Sequence, residues 1–225
     1  MAATLATLQV MCQTLLGSAV YFPTTTLTDW INRAIEDLSI YFPRYSEYDI
    51  STTAGTHIYD LETYIKGVVS VEYPEGESPP IYLLRKSYTD PSFWLVDGYY
   101  DILKLQSALS TEPPQIIVSN TTLLAETIRI KCIIDHAVLA AAGDECTVLE
   151  RHTNLILLFV RWKAFQQMSA VESEDPSPLN TRASSFEINA QRAEAAYRAA
   201  LKAAASAESE SGQVPWKMDR FDSLY

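Results

Sequence analysis

The sequence predicts an α+β protein: an antiparallel helix bundle with a β-rich insertion between the second and third long helices, plus an extended C-terminal tail. Three observations predict it. Apolar residues recur at three- and four-residue steps near both ends of the chain. Between Tyr45 and about Ile134 that period gives way to β-branched and aromatic runs punctuated by Gly and Pro. After Glu208 periodicity stops, although large aromatics continue. The expected divisions are 1–44 for the N-terminal helices, 45–136 for the β-rich insertion, 137–207 for the C-terminal helices and 208–225 for the tail.

The first helix is expected over Ala2 to Leu16, with Leu5, Leu8, Met11, Cys12 and Leu15 on one stripe and Gly17 and Pro23 at its end. Thr26 or Thr28 is positioned to cap the second, with Asp29 in its first turn. Its apolar face is Trp30, Ile31, Ala34, Ile35, Leu38 and Tyr41. Pro43 ends it, because proline disfavours helix at the residue before it.

Strands are expected at Tyr48 to Thr53, Val68 to Tyr73, Ile81 to Leu84, Tyr99 to Leu105, Gln115 to Val118 and Thr127 to Ile134. The last alternates Ile128, Ile130 and Cys132 with Arg129 and Lys131, and its β-branched density favours strand over helix. Ala137 to Ala142 is expected to form a helical turn ended by Gly143-Asp144.

Helical period returns from about Leu149 to Ala170, and the all-apolar stretch Ile156 to Val160 marks a helix buried on several sides. Residues 172–180, with Glu172, Glu174, Asp175, Pro176 and Pro178, read as a loop. Ser184-x-x-Glu187 matches a capping box and starts a final Ala-rich helix to about Ala207, on the order of 36 Å long.

Charge and cysteine content narrow the functional classes. The 225 residues carry a formal net charge of -11, and no Lys or Arg precedes Arg33. Nucleic-acid binders neutralise phosphates with a basic face, and no such run exists, so gripping DNA is excluded as a first reading. An acidic surface suits a protein that DNA slides past, and equally suits plain solubility. Cys12, Cys132 and Cys146 are odd in number and form no CxxC, which points to a reducing compartment. The start of the chain lacks the basic region of a signal peptide, and the longest apolar run, Leu155 to Val160, is too short to cross a bilayer.

Candidate chemistry is sparse. Cys132-x3-His136 followed by Cys146-x5-His152 has the residue types of a zinc set but not its spacing. On one strand Cys132 and His136 would stand roughly 13 Å apart, too far to share an ion. Asp135 and His136 are adjacent and on a strand would point to opposite faces. No GxSxG, P-loop or GxGxxG occurs. No catalytic residue, metal site or cofactor is expected.

The order of elements (two helices, a β-rich insertion, two helices and an aromatic tail) resembles the head-to-tail adaptor proteins of tailed bacteriophages. So do local runs. Leu27-Thr-Asp-Trp-Ile-Asn-Arg-Ala-Ile-Glu-Asp-Leu-Ser-Ile-Tyr-Phe-Pro43 resembles the family's first-helix signature. Gly55-Thr-His-Ile-Tyr-Asp-Leu61 followed by Val68-Val-Ser-Val-Glu-Tyr73 is similar to its entry into the β part, although Glu62 stands where proline is common. Strand Thr127 to Ile134, the Gly143-Asp144 break and the helix through Trp162 continue the likeness, which covers roughly residues 25 to 205.

The resemblance implies a non-enzymatic virion neck protein made in the host bacterial cytoplasm. It implies a homo-oligomeric ring of about twelve subunits below the portal protein. Such a ring extends the DNA channel, lets double-stranded DNA pass without specific binding during packaging and ejection, and offers a platform to stopper or tail proteins. Trp216, Phe221, Leu224 and Tyr225 lack a periodic element to bury them and are expected to dock on the portal. Phe186, Tyr197 and Leu201 are the subunit-interface candidates on the last helix. Rival readings are a stopper or tail-completion ring protein, a small hydrolase with a spatial triad at His136 or His152, and an interaction module of unspecified partner.

Overall fold

The computed structural model describes residues 3–17, 22–103, 113–119, 126–173 and 181–210. The chain is α+β, with four α-helices and two sheets among the described residues. It divides into two compact units: residues 1–42 with 136–225, and residues 43–135.

The first unit holds the helices. α1 spans Leu5–Leu16, α2 Thr24–Tyr41, α3 Thr153–Ser173 and α4 Thr181–Glu210. Thr4 caps α1 by accepting from the Thr7 N–H, and Gly17, at φ +69°, closes it in the left-handed region. The free N–H groups of the first turn of α1 find carbonyls elsewhere. Leu5 donates to Asp144 at 2.9 Å and Ala6 to Ala142 at 3.0 Å. Leu5, Leu8 and Cys12 are buried as expected, whereas Met11 and Leu15 lie on the exposed margin.

α2 starts directly after Pro23, ahead of the expected Thr26 or Thr28 cap. Thr28 is already inside the helix and donates to the Thr24 carbonyl. Trp30, Ile31, Ala34, Ile35 and Leu38 are buried, but Tyr41 at the last turn is exposed.

α3 buries Leu155, Ile156, Phe159, Val160 and Ala164. α4 buries Ala190, Ala193, Tyr197 and Leu201, spaced by three, four and four. Its 30 residues give a length of about 45 Å. It begins before Ser184, so Ser184 is already helical and the expected capping box does not start it.

The expected helical turn at Ala137 to Ala142 does not form, because non-local partners hold its backbone. Asn32 binds both the N–H and the carbonyl of Leu139. The N–H groups of Ala140 and Ala141 donate to the Asp144 carboxylate, at 2.7 and 2.8 Å.

The second unit holds the strands β1 (Arg44–Ser51), β2 (Ile58–Asp60), β3 (Ile65–Glu72), β4 (Leu84–Arg85), β5 (Tyr99–Leu103), β6 (Gln115–Val118) and β7 (Thr127–Ile134). One sheet runs β1-β7-β3, all antiparallel. The other runs β2-β6-β5-β4, with β4 parallel to β5. Register explains the alternation in β7. Ile128, Ile130 and Cys132 turn inward opposite Ile50, Tyr48 and Ser46. Arg129 and Lys131 turn outward opposite Asp49 and Glu47. Arg129 is held by Asp49 at 3.0 Å and also pairs with Glu75.

Expected strand Ile81 to Leu84 proves to be a crossing segment. Leu83 donates to Val71 of β3, whereas Leu84 and Lys86 donate to Gly98 and Tyr100. The two sheets are thereby joined and share a core of Ile65, Val71, Leu83, Tyr100, Ile116, Val118, Ile128 and Ile130. β2 was not anticipated, since three residues are too short to display a period of two.

Candidate functional site

Two features of the described surface, one on each unit, bring apolar side chains to solvent. The first is an apolar tip following a 3-10 turn at Pro91–Phe93. Phe93 is fully buried and anchors it. Asp90 caps the turn, its carboxylate accepting the Ser92 N–H at 2.8 Å and the Ser92 hydroxyl at 2.6 Å. These bonds from Ser92, helped by the Lys86 ammonium, hold the Asp90 carboxyl below the usual carboxylate range. Lys86 also bonds to Ser92 and lies 4.8 Å from the Tyr99 ring centre.

Trp94 is wedged edge-on against Phe93 at 5.0 Å and His57 at 5.6 Å, which fixes its orientation. Gly98, at φ +97°, turns the chain back into β5. The result is a held loop that presents Trp94 (41 % exposed), Leu95 (80 %) and Val96 (53 %) to solvent. The charged residues of segment 87–98 are Asp90 and Asp97, both acidic.

The second feature is a groove of about 440 Å³ between the end of α2 and the last third of α4. Tyr41, Leu201 and Ala205 supply its apolar wall, and Arg198, Lys202 and Ser206 its polar wall. Its lining holds two cations and no carboxylate, in a chain whose net charge is -11. Arg198 is oriented by Glu194, four residues earlier, at 2.6 Å.

Tyr197 and Leu201, expected at a subunit interface, lie in the core of the first unit. Tyr197 donates to the Asp37 carboxylate and packs on Phe159 and Trp162. Only the margin of Leu201 reaches the groove. Phe186 is half-buried near the start of α4. Trp216, Phe221, Leu224 and Tyr225 fall outside the described residues.

The histidines are engaged structurally. His136 is buried, its Nε2–H donating to the Phe42 carbonyl at 2.8 Å, which leaves Nδ1 to accept from the Thr147 hydroxyl at 2.9 Å. β7 ends before Asp135 and His136, and Asp135 pairs with Lys66 at 3.2 Å. His152 stands beside an acid, Glu208, at 2.7 Å. The Phe42 ring stacks on His152 at 4.0 Å, and Arg151 shares the Glu208 carboxylate. Its Nε2 faces Glu208 and Arg151 rather than a hydroxyl or thiol, and neither residue lines the groove. The contact ties the last turns of α4 to the approach to α3.

All three thiols are buried and unbridged. Burial pushes Cys12 up to about 12 and raises Cys132 and Cys146 as well. Among the described residues no group of three or more His, Cys, Asp or Glu is placed to hold a metal ion. No described helix is long and apolar enough to cross a membrane.

A model of the family described as SU10 adaptor protein matches residues 3–219, a span that takes in all four helices and both sheets. The chain belongs to the SU10 adaptor protein family. This is a family of phage head-to-tail adaptors, so the chain is a structural adaptor of the virion neck, where portal and tail proteins are its neighbours. No curated protein matches the adaptor's sequence. The Trp94-Leu95-Val96 tip escaped sequence reasoning. The one signal available was an apolar triplet inside a turn-rich stretch between Pro91 and Gly98.

Proposed function

We propose that this adaptor assembles as a ring below the portal, extends the DNA channel, and gives stopper or tail proteins a platform. The observation that carries this reading is family membership over nearly the whole chain. In this reading the helices form one bundle, the β-rich unit is an insertion in it, the end of the chain after α4 is a tail, and each part has one role. The bundle is the ring-forming body and the β-rich unit is a platform. The tail, through Trp216, Phe221, Leu224 and Tyr225, is the portal anchor.

The acidic balance, -11 over 225 residues, favours passage of double-stranded DNA by repulsion rather than grip. A dodecamer would match the symmetry expected from the resemblance to head-to-tail adaptors.

Native mass spectrometry of the full chain, alone and with the portal protein of the same phage, tests the assembly. A defined ring bound to the portal is the expected species; a chain that never joins the portal overturns the reading. Deletion of 212–225 should abolish portal binding and leave far-UV circular dichroism unchanged. Normal portal binding by the truncated chain would rule out the tail as anchor.

A further inference from the structure

We infer that Arg151 and His152 latch the Glu208 carboxylate and so keep the last turns of α4 folded. The latch thereby sets the point from which the portal-directed end of the chain leaves the helical unit. This last step deepens the reading proposed above and rests on it; the latch itself does not.

The end of α4 has little apolar hold. Leu201 is the last fully buried side chain among its described residues. Ala204 and Ala205 only graze the core, and Ser206 and Ala207 are exposed. A helix end that buries no apolar face frays. Glu208 by itself adds to that tendency, because an acid in the last turn faces the negative end of the helix dipole and no base accompanies it there.

The contact that Glu208 makes runs the other way. His152 Nε2–H donates to its Oε1 at 2.7 Å, and the Arg151 guanidinium donates to the same oxygen at 2.5 Å. An exposed ion pair would contribute little. Here the His152 side chain is 5 % exposed and that of Glu208 19 %, so water screens their contact weakly. The Phe42 ring, stacked on His152 at 4.0 Å, holds the imidazole in place beforehand. Both donors lie in the turn Glu150–His152 ahead of α3, so the end of α4 is fastened to residues 56 and 57 positions earlier.

The chain beyond α4 carries Trp216, Phe221, Leu224 and Tyr225. With the latch closed, residues 211–216 lead from α4 to Trp216; with α4 unwound from 205 that path is about twice as long. Doubling such a tether lowers the effective concentration of its end up to about threefold.

Hydrogen exchange of the full chain, read by mass spectrometry on peptides covering 203–210, tests the latch, because helix propensity and the latch predict opposite signs. Glu208→Ala replaces an acid at the negative end with the best helix former, so propensity and dipole alone would slow exchange there. The latch requires exchange about tenfold faster. Arg151→Ala, which changes nothing in α4, should act in the same direction, while peptides within 156–164 of α3 keep the parent's protection. Slower or unchanged exchange of 203–210 in Glu208→Ala overturns the latch, and unchanged exchange in Arg151→Ala removes Arg151 from it.

In direct competition with the parent for the portal protein, Glu208→Ala should bind more weakly, by up to about threefold per chain. Faster exchange with undiminished portal binding, where deletion of 212–225 abolishes that binding, overturns the placing role alone. If neither Glu208→Ala nor the deletion alters portal binding, the tail reading fails, and the exchange result still decides the latch.

Discussion

The Asn32 side chain clasps the backbone of Leu139, 107 residues away, donating its amide to the Leu139 carbonyl and accepting the Leu139 N–H, both at 2.9 Å. The single residue thus satisfies both polar groups of a backbone segment that passes over α2 with no regular structure of its own. Asn32→Ala leaves both groups without their partner and should cost about 1–3 kcal/mol. Urea denaturation measures it; an unchanged midpoint would show that water replaces the amide at no loss.

Tyr197 and Asp37 form a second long-range contact, and it makes stability pH-dependent. Burial, then the hydrogen bond and charge of Asp37, raise the phenol above its ordinary value. A raised folded-state value means the contribution is fully present below the unfolded value of about 10 and is lost as pH rises through the folded one. Tyr197→Phe should therefore be less stable than the parent at pH 7, by roughly 1–3 kcal/mol. The gap should narrow above about pH 10, where the parent's unfolded phenol ionises. Thermal unfolding of both proteins across that range checks it, and a constant gap contradicts the sign.

Asp144 works in the opposite direction. The N–H groups of Ala140 and Ala141 hold its carboxyl below the usual range. Its contribution is present above the unfolded value of about 3.9 and is lost as pH falls through the lower folded value. Asp144→Ala should lower the melting temperature at pH 7 and approach the parent in strong acid. Equal acid sensitivity in both would remove Asp144 from the explanation.

Thiol reactivity offers a simple readout of the first unit. With Cys12 pushed up to about 12 and buried among Leu8 and its neighbours, thiolate is scarce at pH 8. A thiol-specific chromogenic reagent should react at that pH only as fast as the protein opens, and rapidly after urea is added. Fast stoichiometric reaction of native protein would show that these thiols are accessible.

The helices were legible where one face repeats. Trp30, Ile31, Ala34, Ile35 and Leu38 mark α2 because each contributes to the same buried stripe. β7 was legible to the residue, because Ile128, Ile130 and Cys132 alternate against charged neighbours. Boundaries were harder to read. Thr26, Thr28 and Ser184 are all acceptable caps in isolation, yet each lies inside a helix that starts earlier. Capping residues state a preference, and a helix can begin ahead of them, as α2 does directly after Pro23.

The site was less legible than the fold. Tyr197 and Leu201 follow helical spacing, which identifies a buried face without saying which neighbour buries it. The structure assigns that burial to the chain's own core. Trp94, Leu95 and Val96 show no periodicity, so only their turn-rich setting between Pro91 and Gly98 hinted at exposure.

Composition, periodicity and turn residues by themselves made this an α+β chain and separated its helices from its strands, because those signals are local; the adaptor family entered through the resemblance of its element order and of local runs to known head-to-tail adaptors. Tertiary structure alone decided that Ala137–Ala142 stays unwound, that segment 81–86 joins the two sheets, and that His152 meets Glu208. Each of these rests on partners far apart in the chain, whose meeting is set by how the packed elements close rather than by any stretch of residues read alone.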